Sequence, residues 1–211
     1  MMMTVVLAVS AVVSYLMGGL NGAIVASRLF HHEDIREKGS GNPGFTNYKR
    51  VYGNGLVTWL VLIFDVVKTM FVVSITAWVM WAYFDRWQFG AQFSGLCAML
   101  GHCFPVWYKF RGGKAFMAGF ATIWFVDWRM TLMAMALFLV VLFTLKYMSV
   151  ASCTASIFCP IILPFLGVAN IWVEILAIAG AALIILRHHE NFAKLLRGEE
   201  SKFSLKSKAR G

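Results

Sequence analysis

The sequence predicts an all-α fold: a polytopic membrane helix bundle of seven transmembrane helices, with the N-terminus outside and the C-terminus in the cytoplasm. Three observations lead there. The 211 residues are 60% hydrophobic and only 14% charged, with a mean hydropathy of +0.71. A soluble domain of that size cannot hide so much apolar surface in its core. The apolar runs suit a hydrocarbon core, which takes about 20 helical residues to cross. The cations, finally, are spread unevenly over the connections between those runs.

Seven spans follow in order, at 4–27, 55–84, 91–108, 115–126, 130–146, 150–168 and 170–187. The first is expected to be a retained helix. It lacks a basic leader and a small-residue cleavage site, and it runs past Gly18-Gly19 to Ser27. The fourth is short, so it is expected to tilt, re-enter or merge with the loop before it. Cys97, Cys103, Cys153 and Cys159 lie in or beside apolar segments without C-x-x-C spacing, and read as buried small apolar residues. The eight Trp suit interfacial anchoring and core.

Alternating the spans puts sixteen cations on one face: Arg28, Arg36, Lys38, Lys49, Arg50, Lys109, Arg111, Lys114, Lys146, Arg187, Lys194, Arg197, Lys202, Lys206, Lys208 and Arg210. Arg86 and Arg129 fall on the other, and Lys68 lies within a span. Cationic loops stay cytoplasmic, which sets the orientation. The net charge of +9 thus reads as membrane topology, and no nucleic-acid partner is expected. Residues 1–192 form one integral-membrane domain. Residues 193–211 form a basic cytoplasmic tail lying on anionic lipid, each cation contributing about 1 kcal/mol near the surface.

Three polar clusters then meet at the cytoplasmic face. The first, Gly39-Ser40-Gly41-Asn42-Pro43-Gly44-Phe45-Thr46-Asn47-Tyr48-Lys49-Arg50, is glycine-rich and closes on two cations. It suits an anionic headgroup, although a solvated turn has the same marks. The second runs from Gly101-His102-Cys103 to Arg111-Gly112-Gly113-Lys114. Its Gly-Gly-Lys offers backbone N–H groups and a cation ahead of a helix, an arrangement that favours phosphate. The Walker spacing is missing, and a plain cationic loop also fits. The third is Arg187-His188-His189-Glu190-Asn191, where His188 shares a face with Asn191, and Arg187 with Glu190. Asp65 and Lys68 lie three apart inside the second span, either as a structural ion pair or with Lys68 facing the site. The contiguous His31-His32-Glu33-Asp34 lacks metal-ligand spacing, so no metal and no cofactor is expected.

The ordered set GSGNPGFTN followed by Arg50, GHCFPVWYKFRGGK, and RHHEN-FAKLLRGEE resembles the three signatures of the bacterial acyl-phosphate-dependent glycerol-3-phosphate acyltransferases. Gly18-Gly19-Leu20-Asn21-Gly22 and Tyr147-Met148-Ser149-Val150-Ala151-Ser152 resemble further family segments, and the match extends to about residue 203. The resemblance implies a seven-helix enzyme of the bacterial cytoplasmic membrane, with membrane lipids around it and its active site on the cytoplasmic face. It moves a fatty acyl group from acyl phosphate to the 1-hydroxyl of sn-glycerol 3-phosphate, giving lysophosphatidic acid and phosphate, the first step of phosphatidic acid synthesis. By matching position it implies catalytic roles for Ser40, Arg50, Lys114 and His188. Substrate or phosphate binding falls to Gly39, Gly41, Asn42, Thr46, Asn47, Lys68, His102, Gly112, Gly113, Glu190 and Asn191. The chain departs from the family pattern at Gly19, Asn21, Phe45, Ala115-Phe116-Met117-Ala118 and His189. The family usually has Ala at Phe45 and Gly-Val-Ala-Thr after the lysine.

The chemistry is consistent with the residues. Acyl phosphate is a mixed anhydride with an activated leaving group, so the enzyme mainly holds two anionic substrates together. Two dianions about 5 Å apart repel by roughly 13 kcal/mol at an effective dielectric of about 20. Arg50 and Lys114, with Lys68 or protonated His188, would offset this. Lys114 and the Gly112-Gly113 backbone are expected to bind one phosphate, and Arg50 with Ser40 and Asn47 the other, or the oxyanion. His188 and Asn191 would hold the acceptor. The base is either His188 or the donor phosphate itself, and a covalent Ser40 route stays open without a visible triad. A transporter of an organic anion and a catalytically silent lipid-binding relative remain as rival readings. The sequence leaves the oligomeric state open.

Overall fold

The computed structural model describes residues 1–168 and 170–203. The tail cations Lys206, Lys208 and Arg210 lie outside the described residues. Helix α1 (Met2–Gly19) breaks at Leu20-Asn21 and resumes as α2 (Gly22–His31). The break has a local cause: the Asn21 side chain accepts from Ile24 N–H at 3.0 Å and so caps a new helix. A short α3 (Phe45–Tyr52) precedes α4 (Leu56–Phe84), the longest element at 29 residues. Then come α5 (Trp87–Cys103), α6 (Phe116–Val126), α7 (Trp128–Leu145), α8 (Met148–Ile162), α9 (Ile171–Arg187) and α10 (His189–Leu196).

Each of the seven expected apolar segments contains a helix, but not all are equally suited to spanning. Residues Met2–His31, Leu56–Phe84, Trp128–Leu145 and Met148–Leu166 are long and apolar enough to cross a membrane. A fifth span arises if α9 and α10, bent by 49° at His188, count as one. At 11 residues, α6 is about 16 Å long, half of a hydrocarbon core of about 30 Å. It ends at Asp127, whose carboxylate at once caps α7 through Arg129 N–H (2.8 Å) and Met130 N–H (3.3 Å). The third helix, expected over 91–108, instead starts at Trp87 and stops at Cys103. Pro105 forbids helical continuation, and Val106–Tyr108 forms a separate 3₁₀ turn. Helix α10 runs across residue 193 to Leu196.

One face of α4 explains the surroundings. Ile63, Val67, Phe71, Ile75 and Trp78 recur at three- and four-residue spacing, and all are exposed. A continuous apolar stripe of that kind faces lipid. The opposite face buries Val61, Asp65, Lys68, Thr69, Val72 and Thr76 against the bundle. Small residues bring the helices together, as expected where lipid supplies no hydrophobic drive between them. A Cβ on Gly18 would strike the Ala98 carbonyl, and one on Gly101 the Tyr15 carbonyl, so α1 and α5 touch backbone to backbone. Ser14 and Ser94 share a hydrogen bond of 2.7 Å within that seam. Close packing of α1, α4 and α5, with α4 antiparallel to the other two, leaves the C-terminal ends of α1 and α5, the N-terminal end of α4 and the loops joined to those ends at one end of the bundle.

Candidate active site

The three polar clusters do meet, and the ties between them can be followed bond by bond. The α1/α2 break holds the first: Asn21 Nδ2 donates to the Pro43 carbonyl at 3.0 Å. Arg36 joins the first loop to the second, donating to the carbonyls of Tyr108 at 2.9 Å and Arg111 at 3.4 Å. Its own position is fixed by Asp34, gripped at 2.9 and 2.7 Å, with Arg28 on the same carboxylate at 2.9 Å. Those guanidinium hydrogen bonds hold the Asp34 carboxyl well below the usual carboxylate range. Arg187 joins the third cluster to the second through the carbonyls of Gly113 and Gly112, both at 3.1 Å, and lies over the Phe104 ring.

Several expected binding groups turn out to be committed to this framework. Gly112 N–H donates to the Cys103 carbonyl at 3.1 Å and Gly113 N–H to the His102 carbonyl at 3.0 Å. They satisfy acceptors left over at the end of α5 and are not open to a phosphate. The glycines are needed for close approach: a Cβ on Gly112 would meet the His102 carbonyl, and one on Gly113 the His102 ring and, at 3.0 Å, the Pro43 carbonyl. Lys68 is likewise in use. Its buried ammonium donates to Asp65 at 2.7 Å, to the Leu20 carbonyl freed by the helix break, and to His102 Nδ1 at 3.4 Å. That is all three of its protons. Gly22 N–H adds a bond to Asp65 at 3.2 Å. Lys68 and His102 are therefore framework residues, and the ion-pair reading of Lys68 is the one that fits. Asn47 is buried as well, accepting from Ser40 N–H at 2.8 Å and donating to the carbonyls of Lys38 at 3.0 Å and Ile35 at 3.3 Å.

What remains open defines the site. Ser40 stands exposed at a loop tip, between Gly39 (φ +59) and Gly41 (φ +74), both in backbone conformations that favour glycine. Thr46 and Arg50 are exposed on α3, and Asn42 is half-buried just ahead of it. Arg50 donates to Ser201 Oγ at 2.9 Å. Lys114 is half-buried, its ammonium donating to Asn191 Oδ1. Burial lowers the Lys114 pKa, opposed by the charges of Glu190, exposed on α10, and Glu200. The His188 ring is buried at the α9/α10 junction with Nδ1 2.7 Å from the Ile184 carbonyl. A carbonyl only accepts, so in the neutral ring Nδ1 carries the proton and Nε2 carries the lone pair. That arrangement can take a proton from a hydroxyl.

The chain beyond α10 closes over this group. Glu200 Oε1 accepts from Asn191 Nδ2 at 2.9 Å, while Oε2 is buried with no partner. Ser201 reaches Arg50, Lys49 lies over the Phe203 ring, and Phe203 N–H bonds the Lys146 carbonyl at 2.6 Å. In the segment expected to lie on lipid, Glu200, Ser201 and Phe203 thus make contacts to protein, while Leu196, Arg197, Glu199 and Lys202 are exposed.

Sequence reasoning left Asn21, Arg36, Arg187 and Glu200 out of the site. Asn21 had a readable signal, a capping residue directly ahead of a helical run. Arg187 stands in the third polar cluster of the sequence, with no role assigned to it there. The His31–Asp34 run is engaged elsewhere: His31 with Tyr48 at 3.0 Å, Glu33 with Lys38 at 3.2 Å, and Asp34 with its arginines. No group of three or more His, Cys, Asp or Glu among the described residues is arranged to hold a metal ion.

Comparison with known proteins identifies the family. Residues 8–198 match the family model for glycerol-3-phosphate acyltransferase. The chain is 34% identical over 199 residues to the glycerol-3-phosphate acyltransferase of Paraburkholderia phymatum, covering 94% of this chain and 93% of that one. It is 34% identical over 197 residues to the enzyme of Coxiella burnetii, covering 93% and 98%. Among solved structures it superimposes on PlsY, an integral membrane glycerol 3-phosphate acyltransferase. The TM-score to the glycerol 3-phosphate form is 0.84, at 31% identity over 94% of this chain and 96% of that one. The lysophosphatidic acid form gives a TM-score of 0.81 at 30% identity, over 94% and 95%. With the model, the relatives and the fold in agreement, this chain belongs to the glycerol-3-phosphate acyltransferase family, of the PlsY type.

Proposed function

We propose that the protein transfers a fatty acyl group from acyl phosphate to the 1-hydroxyl of sn-glycerol 3-phosphate, releasing lysophosphatidic acid and phosphate. The observation that best supports this is the Lys114–Asn191 pair beside His188, with an apolar cavity beginning at Phe116, two residues further along the chain. A cation, a polar anchor and a ring with an available lone pair suit a phosphorylated acceptor and its hydroxyl. The adjoining apolar space suits a chain attached to the donor carbonyl.

In this reading Lys114 and Arg50 offset the charge of the two phosphates. Arg50 offers two parallel N–H bonds to one phosphate, and Lys114 a point charge to the other. Asn191 orients the glycerol backbone, and His188 Nε2 takes the proton of the attacking hydroxyl. The hydroxyl oxygen bonds to the acyl carbon, the acyl–phosphate C–O bond breaks, and the phosphate leaves with its electron pair. Ser40 N–H is held by Asn47, so this serine contributes its exposed hydroxyl, as a hydrogen-bond donor to substrate. The same reading takes all seven apolar segments as membrane-embedded, with the N-terminus outside and the site at the cytoplasmic face. The cation asymmetry of sixteen against two supports it.

The test is purified protein in lipid, given palmitoyl phosphate and glycerol 3-phosphate, with both products followed together. Equal release of phosphate and lysophosphatidic acid, lost in Lys114→Ala, is the expected result. Phosphate release without lipid product would refute the acceptor assignment, and full activity in Lys114→Ala would refute the role of that cation.

A further inference from the structure

A cavity of about 200 Å³ lies between α5, α6, α7, α8 and α9. It begins beside the candidate site, at Phe116 and Met117 in the first turn of α6 and at Ile184, one turn before His188. It ends near Gln92, Met130 and Cys159. From Met99 to Gln92, both in its wall, α5 rises about 10 Å. The wall is apolar in effect. Its hydroxyls are turned into their own helices, Thr122 to the Ala118 carbonyl at 2.8 Å and Ser156 to the Ser152 carbonyl at 2.7 Å. Gln92 is the exception. It is only 5% exposed, and its amide Oε1 is buried without a partner. At the other end Phe116 stacks on Phe138 of α7, ring centres 5.2 Å apart, and narrows the entrance.

We infer that this chamber takes the acyl chain of the donor and that Phe116 and Gln92 set its length. The inference rests on the acyl-transfer reading and adds to it the residues that choose among substrates. A chain of limited reach fills the apolar part and leaves room at the far end for water, which hydrogen-bonds Gln92. A longer chain pushes its methyl end against the amide and buries that oxygen with nothing to donate to it, which disfavours binding. Phe116 adds a second restriction by limiting how the chain enters and bends out between α6 and α7.

Two measurements in lipid nanodiscs test it. The first is kcat/KM with octanoyl, dodecanoyl, palmitoyl and stearoyl phosphate. The second is the Tm shift on binding the matching alkyl phosphonates, which needs no turnover. For the natural chain, kcat/KM and binding are expected to fall about tenfold or more from dodecanoyl to stearoyl. Gln92→Leu, similar in volume but without the amide, should recover about tenfold for the stearoyl chain. Phe116→Val should flatten the profile from the entrance side. Length-dependent binding without turnover would uphold the chamber and refute the acyl-transfer reading. Turnover or binding indifferent to chain length, or a profile unchanged in both variants, would overturn the inference.

Discussion

Arg187 is the residue whose loss should reveal most about how the site is held. It touches no proposed reacting group, yet it fixes the two carbonyls immediately before Lys114. Replacing it by Ala removes two hydrogen bonds of 3.1 Å from a charged donor, and the Phe104 ring loses its cation. Hydrogen bonds to a charged group contribute about 1.5–3 kcal/mol each when buried. Arg187 is only half-buried, so about 2–4 kcal/mol for the pair is reasonable once water is allowed to compensate. Losing it should loosen residues 112–114 and displace Lys114. A misplacement of about 1 Å can cost on the order of 10²-fold in rate. The assay compares the natural chain, Arg187→Lys and Arg187→Ala for thermal stability in detergent and for kcat/KM. Lys keeps the charge and one of the two bonds, so an intermediate value is expected, with Ala lowest in both. If Ala matched the natural chain within about twofold in kcat/KM and about 0.5 kcal/mol in stability, the positioning argument would fail.

Two further predictions come from neighbouring residues. Burial lowers the pKa of Lys114 while the charge of Glu200 raises it, so neutralising Glu200 removes support for the ammonium. Glu200→Gln should therefore move the alkaline limb of the pH dependence of kcat/KM to lower pH; a shift upward, or none, would show that Lys114 is not the group titrating. Ala115 stands at φ +56, in the left-handed region, where the family usually has Gly. Relief of about 1–2 kcal/mol of backbone strain in Ala115→Gly should roughly balance the loss of a buried methyl and the added chain freedom. Ala118→Gly, in the regular helix of α6, should cost about 1–2 kcal/mol under the same thermal assay. Equal costs at the two positions would contradict the strain argument.

How far the sequence can be read depends on what each feature requires. Long apolar runs need no partner to be recognised as helices, and the cation asymmetry was enough to bring the three polar clusters to one end. The roles within those clusters were harder. Gly112 and Gly113 look like a phosphate cradle because their sequence neighbours are polar and cationic. Their N–H groups instead answer the carbonyls of Cys103 and His102 at the end of α5, nine and eleven residues earlier, after a reversal that spacing does not encode. For Lys68 and His102 the sequence leaves the same choice open: a buried cation and its acceptor differ from a binding pair only in which way they point. The tying roles of Arg36 and Arg187 are not legible because their partners are backbone carbonyls, and a carbonyl leaves no mark in the amino-acid sequence. The departure at Ala115 was visible as a change of residue, but its left-handed backbone was not.

The Asp65–Lys68 pair also bears on how the chain enters a bilayer. A single Asp or Lys near the centre of an inserting helix costs about 2.5–3.5 kcal/mol. Here both lie on one helix, three residues apart and 2.7 Å between charged atoms. The pair can therefore close within α4 alone, before any other segment arrives, which would lower the cost of inserting that helix. The Leu20 carbonyl and His102 become partners only when α1 and α5 pack alongside. The contacts of Lys68 thus fall into two sets, one within a single segment and one between segments. A molecule in which α1 or α5 has not docked would therefore keep an unpaired Lys68 proton inside the membrane, a penalty that only the complete bundle removes.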